Sequence, residues 1–127
     1  MAIFAIDFDG TCVDHRYPET GPDVPCAVDF LRVLAVNENQ LILFTMRSGD
    51  ELENAVEWFS ERELPLMGIN QNPDQLEWTS SPKAYAHFYI DDAAVGCPLI
   101  QPPGFERECV DWRSIAELLG YDDSIFE

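Results

Sequence analysis

Apolar residues along this chain fall alternately into short runs and into helical faces. The run from Ala2 to Asp7 ends in a carboxylate and predicts a buried strand. Residues 10–22, rich in Gly, Pro and polar groups, predict a loop. Ala27, Phe30, Leu31 and Leu34 recur at helical spacing and predict a helix from about Val24 to Val36. Asn37-Glu38-Asn39 is expected to end it, because asparagine tolerates the left-handed conformation of a helix terminus. Gln40 to Phe44 predicts the second strand. Ser48 followed by Glu51 has the form of a capping box, and Leu52, Ala55, Val56 and Phe59 share one apolar face. A helix is therefore expected from about Gly49 to Arg62. Leu66 to Ile69 predicts a short third strand, and residues 70–82 a loop with a turn of helix around Gln75. His87 to Ile90 predicts a fourth strand and Pro98 to Ile100 a short fifth. Asp111 suits the N-cap of a last helix to Leu119, with Val110 and Ile115 placed as a hydrophobic staple and Gly120 closing the end.

Strands alternating with helices imply the α/β class: a single Rossmann-like three-layer domain over residues 1–127, with a parallel sheet of about five strands covered by helices on both faces. Crossovers in such sheets are right-handed, and ligands bind beyond the carboxyl ends of the strands. Asp7, Asp9, Thr45 and Asp91 are expected to emerge together at that edge.

Net charge narrows the partners. Seven basic residues face 24 acidic ones, a balance of −17 that repels polyanions and argues against broad nucleic-acid binding. No apolar run approaches the roughly 20 residues of a membrane helix, and the N-terminus lacks a basic segment followed by a long apolar one, so a cytoplasmic location is expected. The four cysteines, Cys12, Cys26, Cys97 and Cys109, include no Cys-x-x-Cys pair, which favours reduced thiols over a zinc site. Oligomeric state is left open, a homo-oligomer included.

The chemistry-bearing residues stand at strand ends. Asp7-x-Asp9 offers two carboxylates suited to metal binding, nucleophilic attack or acid/base work. Gly10 permits a sharp turn that would bring its own N–H and that of Thr11 toward a phosphate. Thr45 supplies a hydroxyl donor, and Lys83, the chain's only lysine, a cation to neutralise developing charge. Asp91 and Asp92, adjacent after an apolar strand, repel one another unless a cation compensates, and they are hard ligands suited to Mg2+. Arg47, close to Thr45 and to the start of a helix, is a candidate anion contact.

Asp7-Phe8-Asp9-Gly10-Thr11, Leu41-Ile42-Leu43-Phe44-Thr45, Lys83 and Tyr89-Ile90-Asp91-Asp92 resemble, in order, the four motifs of the haloacid dehalogenase-like (HAD) phosphohydrolase superfamily. The resemblance spans about Ala2 to Leu119. It implies a Mg2+-dependent phosphatase that hydrolyses a phosphate monoester through an aspartyl-phosphate. Asp7 would be nucleophile and metal ligand, and Asp9 general acid/base with its carbonyl on the metal. Thr45 and Lys83 would bind the phosphoryl group, and Asp91 and Asp92 would complete the metal site. The intervals from Thr11 to Thr45 and from Thr45 to Lys83 leave no room for a cap domain, so the likeness is to small capless members. Such open sites take phosphate groups on small molecules or on larger ones. Ala93 stands where a basic residue often follows the aspartate pair.

Two other readings use the same residues. A response-regulator receiver also combines aspartates, threonine, lysine and Mg2+, but its acidic pair comes first and its lysine last, whereas Lys83 here precedes Asp91-Asp92. A non-catalytic phosphate- or protein-binding module on the same fold is the alternative carried forward. Substrate identity, and whether the 13–22 or 70–82 loop closes over the site, are not written in the sequence.

Overall fold

The computed structural model describes residues 1–127. Four parallel strands form the central sheet: β1 (Ile3–Ile6), β2 (Gln40–Leu43), β3 (Gly68–Ile69) and β4 (Phe88–Ile90), in the order β3-β2-β1-β4. Helix α1 (Ala27–Val36) joins β1 to β2, and α2 (Gly49–Glu61) joins β2 to β3. A last helix, α3 (Trp112–Leu118), follows a two-stranded ribbon of β5 (Leu99–Ile100) and β6 (Cys109–Val110). No helix is long and apolar enough to cross a membrane.

Side chains alternate across a strand, so each face of the sheet reads as every second residue. Phe4, Ile6, Leu41 and Leu43 join Phe30, Leu31 and Leu34 of α1, Ala55, Trp58 and Phe59 of α2, and Trp112 and Ile115 of α3 in one buried cluster. Ala5 and Ile42 point the other way and are also buried. Because β4 lies on the opposite side of β1 from β2 and β3, a right-handed connection from β3 to β4 must cross that second face. The connection contributes a short 3-10 helix, Pro73–Glu77, and buried Asn72, Gln75, Ala84 and Ala86. The second outer layer is thus an ordered loop around one turn of helix, where the strand–helix alternation suggested a full helical layer.

The expected fifth strand does not extend the sheet. Residues 91–98 are fewer than the dozen or so that a parallel crossover needs, so Leu99–Ile100 turns away and pairs antiparallel with Cys109–Val110. That leaves β4 as an edge strand. Other boundaries shift for local reasons. Helix α1 starts at Ala27 rather than Val24, because Pro25 restricts the residue before it and Cys26 holds φ +68°. At its far end the left-handed residue is Glu38, not an asparagine; Asn39 contributes its side chain, donating to Leu34 O and accepting from the Ala2 N–H. Asp111 caps α3 as expected, its carboxylate accepting from the Ser114 N–H, and Gly120 takes φ +86° just beyond.

Candidate functional site

Strand register builds the site. Ile6 pairs with Leu43 on one side and with Ile90 on the other. One residue further on, Asp7 lies between Phe44 and Asp91, with its N–H donating to Ile90 O at 3.0 Å. Alternation turns Asp7 toward the thin side of the sheet and Phe8 toward the thick side. There Phe8 is fully buried and packs edge-on against Trp58 at 5.7 Å between centroids. Burying such a side chain contributes about 1.5–3 kcal/mol. A core anchor thus separates the two aspartates and sets them in different surroundings.

Asp7, Asp91 and Asp92 form one acidic cluster, each offering an oxygen within 4.8 Å of the others, and all three are half-buried. Burial, then the charge of Asp91, pushes the Asp7 carboxyl up to about 8. Burial also raises that of Asp92. Thr11, fully buried, braces the cluster: its hydroxyl donates to Asp7 Oδ2 at 2.9 Å and accepts from the Asp92 N–H at 3.3 Å. Trp112 Nε1 in turn donates to Thr11 O at 2.7 Å. Gly10 sits at φ +84°, and a Cβ there would run into the Asp92 carboxylate, so glycine is required twice over. Three hard carboxylate oxygens within 4.8 Å of one another fit a divalent cation, whose charge would oppose the burial and the neighbouring charge that raise Asp7.

Asp9 lies outside this cluster. Its two oxygens accept from Arg47 Nε and Nη2, each at 2.8 Å. Arg47 also donates to Glu51 O and Glu19 O and lies over the rings of Phe8 and Tyr17. Expected as an anion contact, Arg47 is instead buried with its guanidinium committed. Of Asp9, only the carbonyl oxygen is left as a metal ligand; it accepts no hydrogen bond within the protein.

The Gly10 and Thr11 N–H groups, expected to cradle a phosphate, donate instead to Val13 O and Phe8 O. The N–H groups of Asp9 and Met46 make no hydrogen bond within the protein and are open donors at this edge. Thr45 stands where expected. Its hydroxyl oxygen accepts from the Arg47 N–H at 3.2 Å, its proton is free to donate, and its own N–H is held by Asn70 Oδ1 at 2.7 Å. Ser48 makes no side-chain cap, so the expected capping box does not form. Asp7, Phe44, Thr45, Met46, Asn70 and Asp91 enclose a cavity of about 250 Å³.

Lys83 is not brought to the carboxylates. It is exposed, with Nζ 5.3 Å from the centre of the Tyr89 ring and no carboxylate within 4 Å. The 13–22 loop is tied down: Arg16 Nε donates to Asp14 Oδ2 and Arg16 Nη2 to Gly104 O, both at 3.0 Å, and Asp14 Oδ2 also accepts from the Glu106 N–H. Asn70 as the clamp of Thr45 and Trp112 as the brace of Thr11 were not foreseen. Asn70 carries a weak signal, a polar residue just past a strand; a tryptophan at a helix start carries none.

No family model matches the chain, and no curated protein does. A solved structure, described as that of a conserved protein coded by a locus from Bacteroides thetaiotaomicron, is 35% identical, with a TM-score of 0.76 over 93% of this chain and 88% of that one. The fold and site define a small α/β protein with an acidic centre at the carboxyl edge of a parallel sheet. The chain belongs to the same family as that conserved protein.

Proposed function

We propose that this protein is a Mg2+-dependent phosphatase that hydrolyses a phosphate monoester through an aspartyl-phosphate on Asp7. The observation that carries the reading is the convergence of Asp7, Asp91 and Asp92 beside a cavity that also holds the Thr45 hydroxyl. These three carboxylates, with the Asp9 carbonyl, would hold Mg2+. When bound, Mg2+ would supply the positive charge that keeps Asp7 ionised and lets an anionic ester approach an anionic protein. The motif resemblance supports the same chemistry.

The chain's own groups divide the work. An ionised Asp7 oxygen forms the bond to phosphorus as the ester oxygen departs, while Thr11 holds the carboxylate's rotation. Thr45 Oγ1 and the N–H groups of Asp9 and Met46 offer donors to phosphoryl oxygens. Asp9 would give a proton to the departing oxygen and later take one from the water that cleaves the acyl phosphate. Both its oxygens accept from Arg47, so one of these bonds must open for that step. Lys83, on a flexible stem without an anionic partner, would have to leave Tyr89 to reach the phosphate.

The second reading is a non-catalytic phosphate- or protein-binding module. The Asp9–Arg47 pair and the position of Lys83 favour it, since the acid/base group is engaged and the cation stands apart. Phosphate release from a broad panel of phosphomonoesters, with and without Mg2+, in wild type and Asp7→Asn separates the two. Mg2+-dependent release abolished by Asp7→Asn supports the phosphatase. Absence of release from folded, Mg2+-bound protein supports the binding module.

A further inference from the structure

A second cavity, of about 370 Å³, is lined by Tyr89 of β4, the strand that leads to Asp91. Trp78, Tyr85 and Tyr89 give it three aromatic walls, and Thr79, Ser81 and Lys83 give it two hydroxyls and the lysine ammonium. Its size lies within the roughly 300–1,000 Å³ of small-ligand sites and suits one ring system. Tyr89 joins the two cavities: its ring lies 6.1 Å from that of Phe44, which lines the Asp7 cavity, and two residues on, the same strand delivers Asp91.

The aromatic rings are displayed and yet held. Trp78 is 65% exposed, Tyr85 41% and Tyr89 39%. Loop aromatics left in water are normally mobile or turned inward, but here the backbone beneath them is fixed by buried amide side chains. Gln75 Nε2 donates to Ser81 O and Lys83 O, and Gln75 Oε1 accepts from the Tyr85 N–H at 2.7 Å. Asn72 Nδ2 donates to Tyr85 O, and the Tyr89 hydroxyl donates to Ala84 O. Trp78 meets Tyr85 edge to face at 5.7 Å. A preorganised aromatic wall presents π-faces to a planar group without an ordering penalty on binding. Lys83, the one ammonium side chain of a chain with net charge −17, lines this cavity over the Tyr89 ring, a cation that the phosphate of such a ligand would pass.

We propose that this cavity is the leaving-group subsite, and that the substrate is a small phosphomonoester bearing a flat aromatic or heteroaromatic ring. The ring lies on the open face of the wall that Trp78 and Tyr85 form together, and the phosphate reaches past Lys83 and Tyr89 to Asp7. The assignment of the phosphate end rests on the phosphatase reading above; the ring site stands on the cavity itself.

The test compares adenosine 5′-monophosphate and phenyl phosphate with glycerol 3-phosphate, in Mg2+, for wild type, Trp78→Ala and Tyr85→Ala. Trp78 is mostly in solvent, and Tyr85 is held to Asn72 and Gln75 by its backbone, its hydroxyl meeting only exposed His87, so both variants should fold. The expected result is a kcat/KM at least tenfold higher for a ring-bearing ester than for glycerol 3-phosphate, the ratio falling at least tenfold in each variant. Which ring ester leads tells a fused heterocycle from a single ring. A ratio unmoved by both variants overturns the subsite. If no ester turns over, the ring site is read without chemistry by titrating adenosine against tryptophan emission. Trp58 and Trp112 are buried, so an added ring acts on Trp78. Saturable quenching weakened at least fivefold by Tyr85→Ala upholds the ring site, the phosphatase reading being decided by the broad panel above; absence of quenching overturns the ring site.

Discussion

Arg47 and Asp9 are joined by two parallel hydrogen bonds of 2.8 Å across 38 residues of sequence, with the Arg47 side chain 1% exposed and that of Asp9 12%. The pair fastens the turn after β1 to the start of α2, and through Glu19 O it also holds the 13–22 loop. A guanidinium in this position orients a carboxylate; it does not greet a substrate. Removing one partner of a buried pair leaves the other charge uncompensated, at a cost of about 3–5 kcal/mol. Arg47→Ala is accordingly expected to lose at least about 3 kcal/mol in urea unfolding. Asp9→Asn should lose less, because asparagine keeps an acceptor for Arg47, whose bonds to Glu51 O and Glu19 O also remain.

Acidity at the cluster gives a stability profile of known sign. The Asp7 carboxyl moves from 3.8 to about 8, through burial first and the Asp91 charge second. The native state therefore holds a proton that the unfolded chain releases, and metal-free stability falls as pH rises from about 4 through about 8. In EDTA, melting temperature should drop over that interval, and Asp7→Asn should flatten the drop and melt above wild type near pH 8. Added Mg2+ should reverse the loss in wild type, with apparent affinity rising with pH as a proton is displaced.

Thr11 and Gly10 set the positions of the carboxylates proposed to hold Mg2+ without offering an oxygen to it themselves. Thr11→Val removes the hydroxyl that bonds Asp7 Oδ2 and accepts from the Asp92 N–H, and a roughly 10–100-fold loss of Mg2+ affinity is expected by calorimetric titration. Gly10→Ala drives a methyl into the Asp92 carboxylate at a positive φ, so it should weaken Mg2+ binding and cost about 1–3 kcal/mol of stability.

How far the sequence reached depended on the range of the interactions involved. Periodicity placed all four strands of the main sheet, α2 to within a residue, and the 3-10 turn at Gln75, because those signals are local. Register then followed from hydrophobic runs of similar length, which is why Asp7 and Asp91 meet. Partner choice was not legible. Nothing near Arg47 in sequence says that its guanidinium will turn to Asp9, and nothing near Lys83 says that it will lie over Tyr89. The Gly10 and Thr11 N–H groups were read as open because the turn closed by Val13 O and Phe8 O is tighter than a glycine alone implies. Leu99–Ile100 has the composition of a strand; only the short span from Asp91 to Pro98 bars it from the sheet.

The most direct test of the central claim is covalent. Radiolabelled acetyl phosphate is mixed with Mg2+-loaded protein, quenched in acid within seconds and digested. The expected result is a hydroxylamine-labile label on the peptide containing Asp7, absent without Mg2+ and in Asp7→Asn. Phosphate release with no label on that peptide, or neither label nor release from folded Mg2+-bound protein, would contradict an aspartyl-phosphate enzyme.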